Sequence, residues 1–225
     1  MLNVDLDHLL IGGSDLEATA EWFAELSGVT PAFGGKHPNL GTANYLVSLG
    51  AGRYLELIGS IPGEKPRALG KAFSDFPTPQ LFWFATATEK LSTHSVALKN
   101  LGVVTAGPFA GSRLSSDGKE LTWEILEFGQ HEFGGCLPFM IDWGKTPHPS
   151  VTIQPAVSFH TFEVAHPRAR RLQEIYRSLG LDVNIQEGNS RLELTLDTPR
   201  GSIVLSGTGS MPWFQGSRHG VFNSQ

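Results

Sequence analysis

Apolar and polar positions along the chain fall into a pattern that recurs three times. Leu2–Ile11 is an apolar run broken by Asp5, Asp7 and His8, and Ser14–Gly28 sets Leu16, Ala20, Phe23 and Ala24 on one helical face. Strand-like runs follow at Asn44–Leu49 and Tyr54–Ile58, turned by Gly50-Ala51-Gly52. The second round has a strand at Leu81–Ala85, a helix ending at Leu98–Gly102, and strands at Glu120–Phe128 and Leu137–Trp143. The third has Val157–Val164, a helix with Leu172, Ile175, Tyr176 and Leu179 on one face, then Arg191–Leu196 and Ser202–Ser206. Leu192, Leu194 and Leu196 alternate with Glu193, Thr195 and Asp197, as in a sheet covered on one face.

The helices share their punctuation. Gly28, Gly102 and Gly180 stand where a left-handed residue ends a helix. Ser14 with Glu17 and Thr86 with Glu89 have capping-box spacing, and Pro167 suits a first helical position. The pattern predicts an α+β fold of βαβββ units: 1–60 and 80–144 paired in one domain (1–144), a third unit at 155–207, and an irregular tail at 208–225. Ser60–Gln80 and Lys145–Pro155 are proline-rich and read as linkers without a regular element. Two paired units make a curved sheet with a central cleft, the natural place for a ligand. The odd third unit must cover the back of that pair or meet its counterpart in a second chain, and a homodimer is the expected assembly. Met211, Trp213 and Phe214 are expected to pack on the body or on a partner chain.

Composition narrows the function classes. With 225 residues, 40% hydrophobic and 17% charged, the chain can bury a core without staples. A net charge of -5 gives no footprint for nucleic acid and disfavours an anionic membrane surface. No apolar segment is long enough to span a bilayer, no secretory signal is read at the start, and the single Cys136 suits a reducing cytoplasm. The expected setting is cytoplasmic, with a small-molecule ligand as partner. Nucleophile-elbow, P-loop, dinucleotide and HExxH motifs are absent.

Four passages resemble the vicinal oxygen chelate superfamily, in its glyoxalase-like branch. They are LDHLLIGGSDLEATAEWFAELSG (6–28), GGKHPNLGTANYLVSLG (34–50), RYLELIG (53–59) and LPFMIDWG (137–144). The resemblance implies paired βαβββ units and a metal held by a histidine on a unit's first strand with a glutamate on its last. Onto this chain it carries over His8 and Glu56. The second unit offers Trp83 in place of the histidine, with Met140 or Asp142 near the acidic position. In the third, His160 matches His8 and Val204 replaces the acid, so His160 reads as a hydrogen-bonded core residue.

The implied function is a small-molecule enzyme of isomerase or lyase type, with Glu56 binding metal or moving a proton and His8 anchoring the metal. Imidazole and carboxylate suit Zn, Ni, Mn or Fe, and such a site needs about three protein ligands. His37, in the glycine-rich stretch Gly34–Thr42 read as a loop, is the candidate third ligand. Trp83, Trp123, Phe139 and Met140 are expected to wall the cavity, with Asp142 and Arg113 as polar contacts. A ring-cleaving dioxygenase fits less well, because its iron needs two histidines and a carboxylate in one unit pair. The alternative class is a metal-free small-molecule binding protein of the bleomycin-resistance type.

Overall fold

The computed structural model describes residues 3–115, 118–129 and 131–209. Met211, Trp213 and Phe214 lie outside the described residues. The first unit comprises β1 (Asp5–Gly12), α1 (Leu16–Ser27), β2 (Ala32–His37), β3 (Thr42–Gly50) and β4 (Arg53–Ser60). The second repeats it with β5 (Gln80–Ala87), α2 (Leu91–Asn100), β6 (Thr105–Leu114), β7 (Glu120–Phe128) and β8 (Phe139–Asp142). The third has β9 (Ser158–His166), α3 (Ala169–Leu179), β10 (Asn184–Glu187), β11 (Arg191–Thr198) and β12 (Gly201–Gly207). Gly28, Gly102 and Gly180 take φ of 78°, 72° and 70°, which is why glycine stands at those helix ends.

The helix starts differ from expectation. Asp15 rather than Ser14 caps α1, accepting from the Ala18 N–H at 3.0 Å. Thr86 lies inside β5, and its hydroxyl donates to the Phe139 carbonyl, so it is not available to cap α2. Pro167 precedes Arg168, the N-cap of α3.

The sheets of the first two units close on each other as a barrel in the order β1-β4-β3-β2-β6-β7-β8-β5. The two seams are unequal. β1 and β5 pair along most of their length, whereas β2 meets β6 only at Lys36↔Leu114. In each of these units the first strand runs parallel to the last: β1 with β4, β5 with β8.

The third unit is wired differently. Its sheet runs β10-β9-β11-β12, with β9 parallel to β10 and antiparallel to β11. His160 and Val204 are therefore separated by β11, unlike His8 and Glu56 on adjoining strands. His160 is exposed, its Nδ1 3.5 Å from the Asp197 carboxylate, and is not a core residue. One face of this sheet (Phe162, Val164, Leu192, Leu194, Leu196, Leu205) joins α3 and the outward barrel residues Leu9, Ile11, Leu55, Leu57, Leu81 and Phe84 in a single core. The Phe84 ring lies 4.9 Å from Phe162 and 6.4 Å from Tyr176. Each such fully buried side chain contributes about 1.5–3 kcal/mol. The third unit thus covers the barrel's back in the same chain, and the argument that its odd number calls for a partner chain falls away.

A second, smaller core lies inside the barrel: Leu10, Ile58, Phe73, Phe76, Phe82, Trp83, Ile125, Phe139 and Ile141 among others. Phe73 and Phe76 come from the first linker, which is not free of regular structure as expected. Residues Ala68–Asp75 form a 3-10 helix that sets Phe73 against Phe82 at 5.7 Å and closes one end of the barrel. Gly70 lets this helix meet the turn before β3, since a Cβ there would lie 2.2 Å from the Gly41 carbonyl oxygen.

Candidate active site in the barrel

Alternation along each strand decides what the barrel interior contains. On β1, Leu9 and Ile11 face out while His8 and Leu10 face in; on β4, Leu55 and Leu57 face out while Tyr54, Glu56 and Ile58 face in. The same rule turns Asn44 of β3, Arg113 of β6, Trp123 of β7 and Phe139 of β8 inward. Together with Trp83, Phe73, Leu40, Leu69 and Trp143 these side chains enclose a cavity of about 60 Å³.

β1 and β4 run parallel with His8 opposite Tyr54 and Leu10 opposite Glu56, so His8 and Glu56 are diagonal neighbours on one face. The structure brings them together, with His8 Nε2 3.5 Å from Glu56 Oε2. The other Glu56 oxygen accepts from Asn44 Nδ2 at 2.6 Å. Tyr54 stacks on the His8 ring at 4.5 Å, and burial first, then the nearby carboxylates, raise its phenol well above the usual range.

Behind His8 stands Asp7, which is 2% exposed. Its Oδ1 accepts from His8 Nδ1 at 2.5 Å, and its Oδ2 from Trp143 Nε1 at 3.0 Å and His148 Nε2 at 3.1 Å. Burial alone would raise this carboxyl, but the bonds from His148 and His8 and their charges bring it to about 2. The Ser150 N–H donates to His148 Nδ1 at 3.2 Å, so Nε2 carries the hydrogen that reaches Asp7. An ionised Asp7 can only accept, so His8 carries a hydrogen on Nδ1. Its Nε2 then faces Glu56 Oε2 across 3.5 Å with no other group between them.

Of the other sequence candidates, Trp83, Trp123, Phe139 and Arg113 line the cavity, and His37 does too. The stretch Gly34–Thr42 is not a single loop: Gly34–His37 belongs to β2 and Thr42 begins β3. His37 pairs through Nδ1 with the Thr42 hydroxyl at 3.1 Å. Burial foremost, with the Arg113 and His8 charges adding, pulls it down to about 4 against the opposing pull of Glu56. Met140 and Asp142 lie elsewhere. Met140 alternates outward into the main core, and Asp142 is half-buried beyond the barrel end, where it accepts from the Gly144 N–H at 2.8 Å. The strand register, ambiguous by one residue in the sequence, puts Phe139 and Ile141 inside instead. Burial pushes the Cys136 thiol up to about 12, which leaves it inert.

The donor set fits a metal poorly. Among the described residues no three His, Cys, Asp or Glu side chains gather to hold an ion. His8 and Glu56 are two candidate donors where a catalytic site takes about three. The wall supplied by the second unit presents Trp83, Phe139 and Ile141, none of which ligates.

Asp7, Asn44, Tyr54 and His148 were not singled out from the sequence. Tyr54 carries a usable signal, since period two puts it on the face of Glu56; Asn44 reaches that face only through the register of β3 with β4. His148 sits in a proline-rich linker with no signal at all.

A family model described as a glyoxalase-like domain matches residues 6–180. The chain belongs to the glyoxalase-like domain family. That places it in the vicinal oxygen chelate superfamily, whose members commonly use divalent metals and bind small molecules. The match to this glyoxalase-like chain runs through both barrel units and into the third, as far as the end of α3. A hypothetical protein from Staphylococcus aureus superposes with a TM-score of 0.63 at 17% identity, over 90% of this chain and 85% of its own, and shares the fold. Methylmalonyl-CoA epimerase from Mycobacterium tuberculosis superposes at 0.48 with 19% identity, over 68% of this chain and 94% of its own. No curated protein matches this glyoxalase-like chain. Among its described residues no helix is long and apolar enough to cross a membrane.

Proposed function

We propose that this glyoxalase-like chain is a small-molecule enzyme that moves a proton at a carbon next to a carbonyl group, as an isomerase or a lyase. The carrying observation is the Asn44–Glu56–His8–Asp7 chain of contacts in a largely apolar cavity that opens partly to solvent. In this reading His8 carries hydrogen on both ring nitrogens, and Glu56 is the carboxylate, oriented by Asn44, that takes a proton from carbon. The C–H electron pair becomes a C=C bond, and the carbonyl π pair moves onto oxygen. His8 Nε2–H donates to that oxygen while Asp7 balances the imidazolium. Returning the proton to a different carbon completes an isomerisation; expelling a β-substituent completes an elimination. The apolar lining lowers the local dielectric and strengthens each of these charge interactions. Positioned acid–base groups of this kind contribute about 10²–10⁴-fold, and no step requires a metal.

The test is solvent deuterium incorporation, followed by proton NMR, into a 2-oxo acid, an aldehyde and an acyl thioester incubated with the protein in D₂O. Enzyme-dependent exchange that falls about 100-fold or more in Glu56→Gln supports the reading. Exchange at the buffer rate for all three compounds, or equal exchange by the variant, refutes it. A second reading, a metal-free binding protein, is favoured by the aromatic wall of Trp83, Trp123 and Phe139. Stoichiometric binding without exchange would select it.

A further inference from the structure

Arg113 is the feature of the cavity that the proton chemistry does not use. It is 5% exposed, yet no carboxylate among the described residues stands within ion-pair distance of it. Its one hydrogen bond runs from Nη1 to the Gly34 carbonyl, across the seam where β2 and β6 pair only at Lys36↔Leu114. A guanidinium has five N–H donors in a planar fork, so most of its donating capacity is unspent. Burial lowers its proton affinity, with Tyr54 and Glu56 opposing. Glycine at 35 leaves room for it and for the seam: a Cβ there would lie 3.0 Å from Arg113 Nη1 and 2.0 Å from the Leu114 carbonyl oxygen.

Charge accounting gives the sign of what is missing. Asp7 is matched by three N–H donors, and Glu56 has His8 Nε2 at 3.5 Å and a hydrogen bond from Asn44. Of the charged groups lining the cavity, the guanidinium has no counter-ion in contact among the described residues, and a buried charge requires one. Around it the walls are aromatic: Trp83, Trp123, Phe139 and Phe73. A planar anion with a flat apolar body satisfies both features, the anion by bidentate pairing and the body by stacking.

We infer that the ligand of this cavity is a small carboxylate with an aromatic or otherwise flat apolar body, its carboxylate paired to Arg113. The inference rests on the proposed reading of the cavity as the ligand site, and it makes the substrate an acid whose enolisable carbon faces Glu56. A purely structural role, tying the seam at Gly34, would use one N–H and would not distinguish among ligands.

Three probes of one shape and different charge test it: benzoate, benzamide and benzylamine, titrated against the full chain by tryptophan fluorescence and thermal shift. The expected order is benzoate at least tenfold tighter than benzamide, with benzylamine weakest. In Arg113→Met the preference for benzoate over benzamide should vanish, and Arg113→Lys should retain a reduced preference, because a point charge replaces the fork. Benzamide or benzylamine binding as well as benzoate overturns the inference, as does a preference that survives in Arg113→Met or a failure of all three to bind at millimolar concentration. Should Arg113→Met not fold, the order in the unaltered protein decides. Deuterium exchange that persists while the probe order fails would remove the carboxylate and leave the proton chemistry standing.

Discussion

Replacing Asp7 with asparagine tests the arrangement behind His8 most directly. Asp7 is buried and accepts three N–H donors, and its carboxyl sits at about 2 rather than 3.8. At about 1.4 kcal/mol per pH unit, that difference contributes about 2 kcal/mol of stability at neutral pH. Asparagine cannot accept on both sides: its NH₂ must face either His8 Nδ1–H or the His148 and Trp143 pair, leaving a buried donor unsatisfied at about 1–3 kcal/mol. The total, about 3–5 kcal/mol, corresponds to a fall in Tm of roughly 10 °C for a chain of this size. Because the folded-state value is depressed, the stabilisation is present in full above 3.8 and is lost as pH falls through about 2. Urea unfolding at pH 7.5 and 5.0, followed by tryptophan fluorescence, should give the same gap between wild type and Asp7→Asn, narrowing only below pH 4. The variant should also lose deuterium exchange, since a neutral asparagine no longer balances the charge of His8 when it carries both hydrogens. A Tm within 2 °C of wild type would refute the assignment of Asp7 as an ionised acceptor.

Three further outcomes are expected. His37 is held at about 4 rather than 6.5, so the folded state resists its protonation; stability is present above 6.5 and falls by about 3 kcal/mol as pH drops toward 4. Urea midpoints between pH 7.5 and 4.5 should decline less steeply in His37→Gln, and parallel slopes would contradict this. A Cβ at Gly207 would lie 1.9 Å from the Leu81 carbonyl oxygen, so Gly207→Ala should push β12 off β5 at about 3 kcal/mol or more. Limited proteolysis should then cut the third unit before the barrel. Phe73→Ala should cost about 3–5 kcal/mol and admit water at the barrel end, seen as a red shift of tryptophan emission.

Sheet closure makes these effects long-range, because residues distant in sequence meet only inside the barrel. Arg113 reaches Gly34 across the seam, and His148 reaches Asp7 from the second linker. Neither contact leaves a mark in local periodicity. The binding wall illustrates the same limit at finer scale. Phe139 and Met140 are both apolar neighbours on a short strand, and only pairing with Ala85 and Thr86 settles which one turns inward.

What the amino-acid order alone determined is local: the threefold strand–helix–strand rhythm, the glycine helix ends at 28, 102 and 180, and a period of two that puts His8, Tyr54 and Glu56 on one side of their strands. These follow from backbone geometry within a few residues. Tertiary structure decided the rest: barrel closure, the different strand order of the third unit, the exclusion of Met140 and Asp142 from the cavity, and the capture of Asp7 by His148 and Trp143. Those outcomes depend on which strands pair and in what register. Alternation fixes the face that a residue shows but carries no label for the partner across the sheet.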